Sequence, residues 1–267
     1  MENILNRKYK SHALLIVETK LSNIDEFVKN YLISIIGVDK KIWVDKIIND
    51  EYFDIKTING YDENIKKEQI EEIISCFKKE STESLGKKFY IIKGIENSTQ
   101  NAINLLLNFI ENPPENTYCI LTTRAINLVL PTIRSRCQIQ ILKSNKEDIT
   151  KKINSLKLDE QMVDIFKNIY YNVDRMLHDL KSKKYNEIYK MAINLINNFN
   201  DLKEIKNITN NFKKLSYIEI ELFIKILYYL KKMNIELLNM IKKLKNNPSK
   251  ILLFNKIWNI ITYDNEK

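Results

Sequence analysis

Five short apolar runs fall within the first 142 residues, and no convincing strand pattern follows them. They lie at 12–17 (HALLIV), 52–58 (YFDIKTI), 88–92 (KFYII), 117–122 (TYCILT) and 137–142 (CQIQIL). Between them, apolar residues recur at helical spacing, as in Phe27, Val28, Tyr31, Leu32 and Ile35, and again in Ile65, Ile70, Ile73, Ile74 and Phe77. Strands separated by helices predict a parallel sheet with right-handed crossovers, because parallel neighbours cannot be joined by a tight turn. A run as apolar as 117–122 needs cover on both faces, whereas Gln138-Ile139-Gln140-Ile141 suits a strand with one wetter face.

After Leu142 the periodicity is helical throughout, at 146–155, 159–171, 174–180, 185–198, 202–215, 217–233, 235–244 and 248–263, with Pro248 read as a helix-starting residue. The predicted organisation is therefore α/β then all-α. It comprises an α/β domain over 1–143, a small helical domain over 144–198, and a C-terminal helical domain over 199–267, joined near the polar stretch 197–201. No apolar run approaches the roughly 20 residues that span a bilayer, and residues 1–10 lack the apolar core of a signal peptide. A cytosolic protein is expected, with no membrane contact.

The densest chemical signal is 101–137, NAINLLLNFIENPPENTYCILTTRAINLVLPTIRSRC. Ser98 and Thr99 are candidate helix caps, and Pro113-Pro114 ends the helix because neither proline has an amide hydrogen to donate. The segment closes on the cluster Arg134-Ser135-Arg136-Cys137. An architecture of this kind raises the question of a phosphate-binding loop, GxxxxGK[ST], after the first strand. Here that loop reads Glu18-Thr19-Lys20-Leu21-Ser22-Asn23-Ile24, and none of the chain's four glycines (Gly37, Gly60, Gly86, Gly94) falls in it. Lys20 and Ser22 are all that resembles the motif. The third strand should end in acids that hold Mg²⁺, but it ends in Lys93-Gly94, with Glu96 beyond. Neither ATP binding nor ATP hydrolysis is expected.

Other chemistry has little material. Cys76, Cys119 and Cys137 form no CxxC pair, and His12 and His178 are the only histidines, so no zinc site, redox dithiol or Ser-His-Asp triad is supported. The net charge of +9 suits nucleic-acid affinity, but the lysines are spread along helices beside acids and charge alone does not make a DNA-binding module.

The stretches DIKTING, KFYIIKGIENST, NAINLLLNFIENPPENT, CILTTRA and LPTIRSRC resemble the delta-prime subunits of the bacterial DNA polymerase III clamp loader, a branch of the AAA+ group. The resemblance is best over 54–137; the helical half adds helices in the right order but no motif. It implies an AAA+ P-loop-NTPase-like domain with a five-stranded parallel sheet, a helical lid, and a helical collar that holds a ring of five subunits. It also implies that Arg136, flanked by Ser135 and Cys137, acts in trans as an arginine finger at the ATP site of a neighbouring gamma/tau subunit. Arg134 is the rival within the cluster. Thr123 matches the sensor-1 position, although a chain without nucleotide gives a sensor nothing to sense. The implied partners are the gamma/tau and delta subunits and, through the complex, the sliding clamp and primer-template DNA. Many delta-prime subunits carry a zinc-binding cysteine cluster between the first two strands. Residues 37–50 here contain no cysteine, so no zinc is expected. The alternatives are an autonomous AAA+ ATPase with a divergent P-loop and a basic DNA-binding module.

Overall fold

A computed structural model describes residues 11–144, 146–154, 158–231 and 234–265. The start of the chain, read above as lacking a signal peptide, lies outside the described residues. The chain divides into two compact units, Met1–Ser144 and Asn145–Lys267.

The first unit runs β1 (Ala13–Glu18), α1 (Ile24–Ile36), α2 (Lys41–Ile48), β2 (Ile55–Asn59), α3 (Lys67–Phe77), β3 (Lys88–Lys93), α4 (Gln100–Glu111), β4 (Thr117–Thr123), α5 (Pro131–Arg134) and β5 (Gln138–Leu142). All four strand pairings are parallel, in the order β2-β3-β4-β1-β5. The two-residue alternation of a strand divides the side chains between two cores. Leu14, Ile16, Phe89, Ile91 and Ile120 meet Val28, Tyr31, Leu32 and Ile35 of α1 on one face. Ala13, Leu15, Tyr90, Ile92, Cys119 and Leu121 meet α3 and α4 on the other. Each fully buried aliphatic or aromatic side chain contributes at most about 1.5–3 kcal/mol relative to exposure, so the three central strands, buried on both faces, dominate the unit's stability.

Local chemistry sets the limits of the elements. Thr99 Oγ1 accepts from Ala102 N at 3.3 Å and caps α4, as expected of that residue. The helix stops at Glu111, just before Pro113-Pro114, and Asn116 adopts a left-handed conformation (φ 54°) to turn the chain into β4. Two elements escape the sequence reading. One is α2, which fills residues 41–48 between the first two strands, and the other is the four-residue α5.

The second unit is helical: α6 (Lys146–Asn154), α7 (Glu160–Ile169), α8 (Val173–Lys181), α9 (Lys183–Asn197), α10 (Leu202–Lys214), α11 (Tyr217–Leu230), α12 (Ile235–Lys243) and α13 (Lys250–Asn265). Side-chain caps from Asp159, Asn172, Asp201, Ser216 and Asn234 fix the starts of five of these helices. The apolar helix α11 forms the centre and packs on α7, α9 and α12. Phe223 meets Phe212 edge-on at 5.4 Å, and Phe212 in turn meets Phe254 at 5.2 Å. Pro248 stands two residues before α13, so it precedes the helix and does not open it. Among the described residues no helix is long and apolar enough to cross a membrane.

Candidate functional site

In an open parallel sheet, ligands bind beyond the carboxyl ends of the strands, where successive crossovers diverge. Here that point lies between β1 and β4, since the chain leaves β1 for β2 on one side and passes from β4 to β5 on the other. Only residues 19–23, five in all, separate the end of β1 at Glu18 from the start of α1 at Ile24. Leu21 takes the left-handed conformation (φ 59°) that glycine would adopt more easily, and the Thr19 hydroxyl donates to the Leu142 carbonyl at 2.6 Å. Burial lowers the Lys20 ammonium from its ordinary pKa. The positive end of α1 is already served by its own groups. Asn23 caps the Glu26 amide, and Asp25 and Glu26 occupy the first turn. Lys93, at the end of β3, donates to Asp25 Oδ1 at 2.7 Å.

A buried network fills the space beyond the strand ends. Glu18 is only 4% exposed. Its Oε1 accepts from Thr122 Oγ1 at 2.5 Å and from the Tyr61 hydroxyl at 2.9 Å, while Oε2 accepts from Arg124 Nε at 3.4 Å. The Arg124 guanidinium lies 3.6 Å above the Tyr61 ring, and the Arg124 amide donates to Glu96 Oε1 at 3.0 Å. Burial, reinforced by the Glu18 charge, pushes the Tyr61 hydroxyl far above its ordinary pKa, so it remains a donor. Two of the four glycines seat this tyrosine. A Cβ on Gly94, which is left-handed (φ 67°), would stand 2.7 Å from the Tyr61 ring, and one on Gly60 would stand 2.7 Å from the Gly94 carbonyl. A phosphate entering this crevice would meet a buried carboxylate already satisfied by three donors.

The sequence-named residues separate cleanly. Ile133, fully buried, anchors α5, and Ser135 and Arg136 stand exposed behind it. Arg136 Nε pairs with Glu111 Oε1. Its Nη1 donates to the Thr132 carbonyl at 2.9 Å and approaches Ser135 Oγ at 3.4 Å. None of these partners belongs to the Glu18 network. Cys137 points inward against the α3–α4 core, and burial pushes its thiol up to about 12, which makes it a packing residue. Thr123 is fully buried with its hydroxyl accepting from Ala125 N at 3.1 Å; the neighbouring Thr122 is the one that enters the network. Arg134 is half-buried, so Arg136 is the more accessible cation of the pair. Among the described residues no group of three or more His, Cys, Asp or Glu is placed to hold a metal ion.

A family profile described as DNA polymerase III, delta subunit, matches residues 1–146, more than half of the chain. The chain belongs to this family. A delta' subunit from Bacillus subtilis is 44% identical over 75 residues, and one from Haemophilus influenzae is 33% identical over 99. Those alignments cover 28% and 37% of this chain, and the chain spans only 22% and 29% of those two subunits' lengths. An uncharacterized MG007 homolog from Mycoplasma pneumoniae is 28% identical and aligns over 93% of this chain and 98% of its own length. Among solved structures, a DNA polymerase III gamma-subunit-related protein from Thermotoga maritima superposes with a TM-score of 0.59 at 17% identity, covering 94% of this chain and 95% of that one. That likeness concerns the fold, a five-stranded parallel α/β domain followed by a helical region, and covers nearly the whole chain.

Within this delta-family chain, sequence reading located the cluster around Arg136 and the missing glycines, but not the groups that occupy the crevice. Thr122 and Arg124 fall in the CILTTRA stretch, but nothing in sequence links them to Glu18 and Tyr61, which lie 104 and 61 residues from Thr122. The one available signal was an acid ending an otherwise apolar strand, with glycine beside Tyr61 and at the turn facing it.

Proposed function

We propose that this chain is a non-hydrolysing, delta'-like subunit of the DNA polymerase III clamp loader, and that it supplies Arg136 in trans to the ATP site of a neighbouring gamma/tau subunit. The observation that carries this reading is a pairing of opposites. The crevice that would hold a nucleotide contains Glu18 and its three donors, while an arginine in the motif expected to act on phosphate stands exposed with no phosphate site of its own. A planar guanidinium assists phosphoryl transfer by stabilising charge on the transferring group, worth about 10³–10⁵ in rate in GTPase systems. In this reading Ser135 and Cys137 set the position of Arg136, Ser135 beside its guanidinium and Cys137 by anchoring the chain in the core. Thr123 is a structural residue of the β4 end.

The helical unit then serves as lid over 144–198 and collar over 199–267. The partners are the gamma/tau and delta subunits, with the sliding clamp and primer-template DNA engaged through the complex in the cytoplasm. Neither ATP, Mg²⁺ nor zinc has a role in this chain. The test is Arg136→Ala in a loader reconstituted with gamma/tau, delta and clamp. DNA-stimulated ATP hydrolysis is expected to fall by about tenfold or more. The variant's own fold should hold, because an exposed ion pair contributes about 1 kcal/mol at most. Unchanged hydrolysis and clamp loading would remove the trans assignment.

A further inference from the structure

Arg136 is exposed, but it is not loose. Its guanidinium has five N–H donors, and the chain engages two of its three nitrogens. Nε pairs with Glu111 on α4, and Nη1 is turned toward the Thr132 carbonyl and Ser135 Oγ. Among the described residues Nη2 has no partner, so the two donors on that nitrogen are the ones available to an incoming anion. Glu111 is also oddly placed for a purely local role. It is the last residue of α4, whose final turn contains no basic residue, and a carboxylate at the negative end of a helix is locally unfavourable. Among the described residues its one charged partner is Arg136, 25 residues further along the chain.

We infer that Glu111 is a positioning residue for Arg136: it grips Nε so that the guanidinium plane is fixed and Nη2 is presented outward. The inference rests on the trans assignment above. An arginine side chain that is already ordered loses little rotamer freedom when it meets a phosphate. A free one must be immobilised in the transition state, which corresponds to about three- to tenfold in rate. The contact needed from Glu111 is an acceptor oxygen at Nε, not a charge at the phosphate. A carboxylate and a neutral amide oxygen should therefore both serve.

The experiment compares Glu111→Ala, Glu111→Gln and Arg136→Ala, alone and combined, in the reconstituted loader, reading kcat and KM for ATP separately. Glu111→Ala is expected to lower kcat by about three- to tenfold with KM unchanged. Glu111→Gln should restore most of the rate, and Glu111→Ala should have no further effect once Arg136 is Ala. A Glu111→Ala rate equal to or above the wild type overturns the inference while a slow Arg136→Ala leaves the trans assignment standing. An equal loss from Glu111→Ala in both backgrounds also overturns it, since that marks general damage to α4. If Arg136→Ala is itself at the wild-type rate, both proposals fall.

Discussion

Removing one oxygen from the crevice, by Tyr61→Phe, isolates the Glu18 network from everything around it. The phenylalanine ring fits the same slot against Gly94 and still lies beneath Arg124, so packing and the cation–π contact are kept. Only the hydroxyl is lost, and with it the 2.9 Å hydrogen bond to Glu18 Oε1 and the 3.3 Å contact with Thr122. Glu18 is 4% exposed, so water cannot replace the missing donor at little cost. A hydrogen bond to a charged acceptor contributes about 1.5–3 kcal/mol. For a unit of this size, roughly 3 °C of melting temperature accompanies each kcal/mol, which puts the expected loss at about 5–9 °C. Two units need not unfold as one transition, so the assay must report on the first alone. Trp43 lies in the first unit and Trp258 in the second, where its indole donates to the Phe199 carbonyl at 2.9 Å. In a Trp258→Phe background, fluorescence follows Trp43 only. A midpoint within about 1 °C of the parent would mean that the hydroxyl is not holding a buried carboxylate, and the filled-crevice account would fail.

Two further outcomes follow from the same unit. Burial opposes ionisation of Asp54, but hydrogen bonds from Ser81 Oγ (2.6 Å), Glu83 N (2.7 Å) and Thr82 N (3.1 Å) outweigh it and hold the carboxyl below its ordinary pKa. A folded pKa below the unfolded one gives stability that is present above about pH 4 and lost as the pH falls through the folded value. Urea unfolding of Asp54→Asn should therefore show a loss of about 1–3 kcal/mol at neutral pH and a shallower acid decline than the parent; a parallel decline would contradict this. Calorimetric titration with Mg-ATP should give no saturable heat at millimolar nucleotide, and micromolar binding would restore the autonomous ATPase alternative.

The sheet was legible because its information is local. Buried strands must be continuously apolar, as β1, β3 and β4 are, while the edge strand β5 shows as a Gln/Ile alternation; all four begin and end within one residue of the runs that predict them. The second strand was read too early for a physical reason. Tyr52 is a core residue, with its ring against Phe89, but at Asp54 the chain is tied sideways to residues 81–83 and pairing starts only at Ile55. The helix α2 carries Lys41 and Lys46 among its apolar residues and leaves Ile42 and Ile48 exposed, so its pattern is too weak to announce a helix. The crevice was half legible. Missing glycines and a lysine at the end of β3 show what a phosphate site lacks, but a network assembled from the ends of different strands leaves no periodic trace.

A filled crevice also bears on how the arginine can be controlled. A ligand shifts a conformational equilibrium only by the difference in its affinity for the two states. A unit whose strand ends are bridged by Glu18, Thr122, Tyr61 and Arg124 makes those contacts without any nucleotide. If it has no affinity for ATP, ATP cannot reposition Arg136 from within. On the proposed trans assignment, any nucleotide dependence of the arginine must then come from the neighbouring subunit. The chain's own contribution is constant: a sheet packed on both faces, a short anchored α5, and a guanidinium held at Nε by Glu111 and at Nη1 by Thr132. In the proposed trans role, such a subunit would respond to the nucleotide state of its neighbour without adding a state of its own.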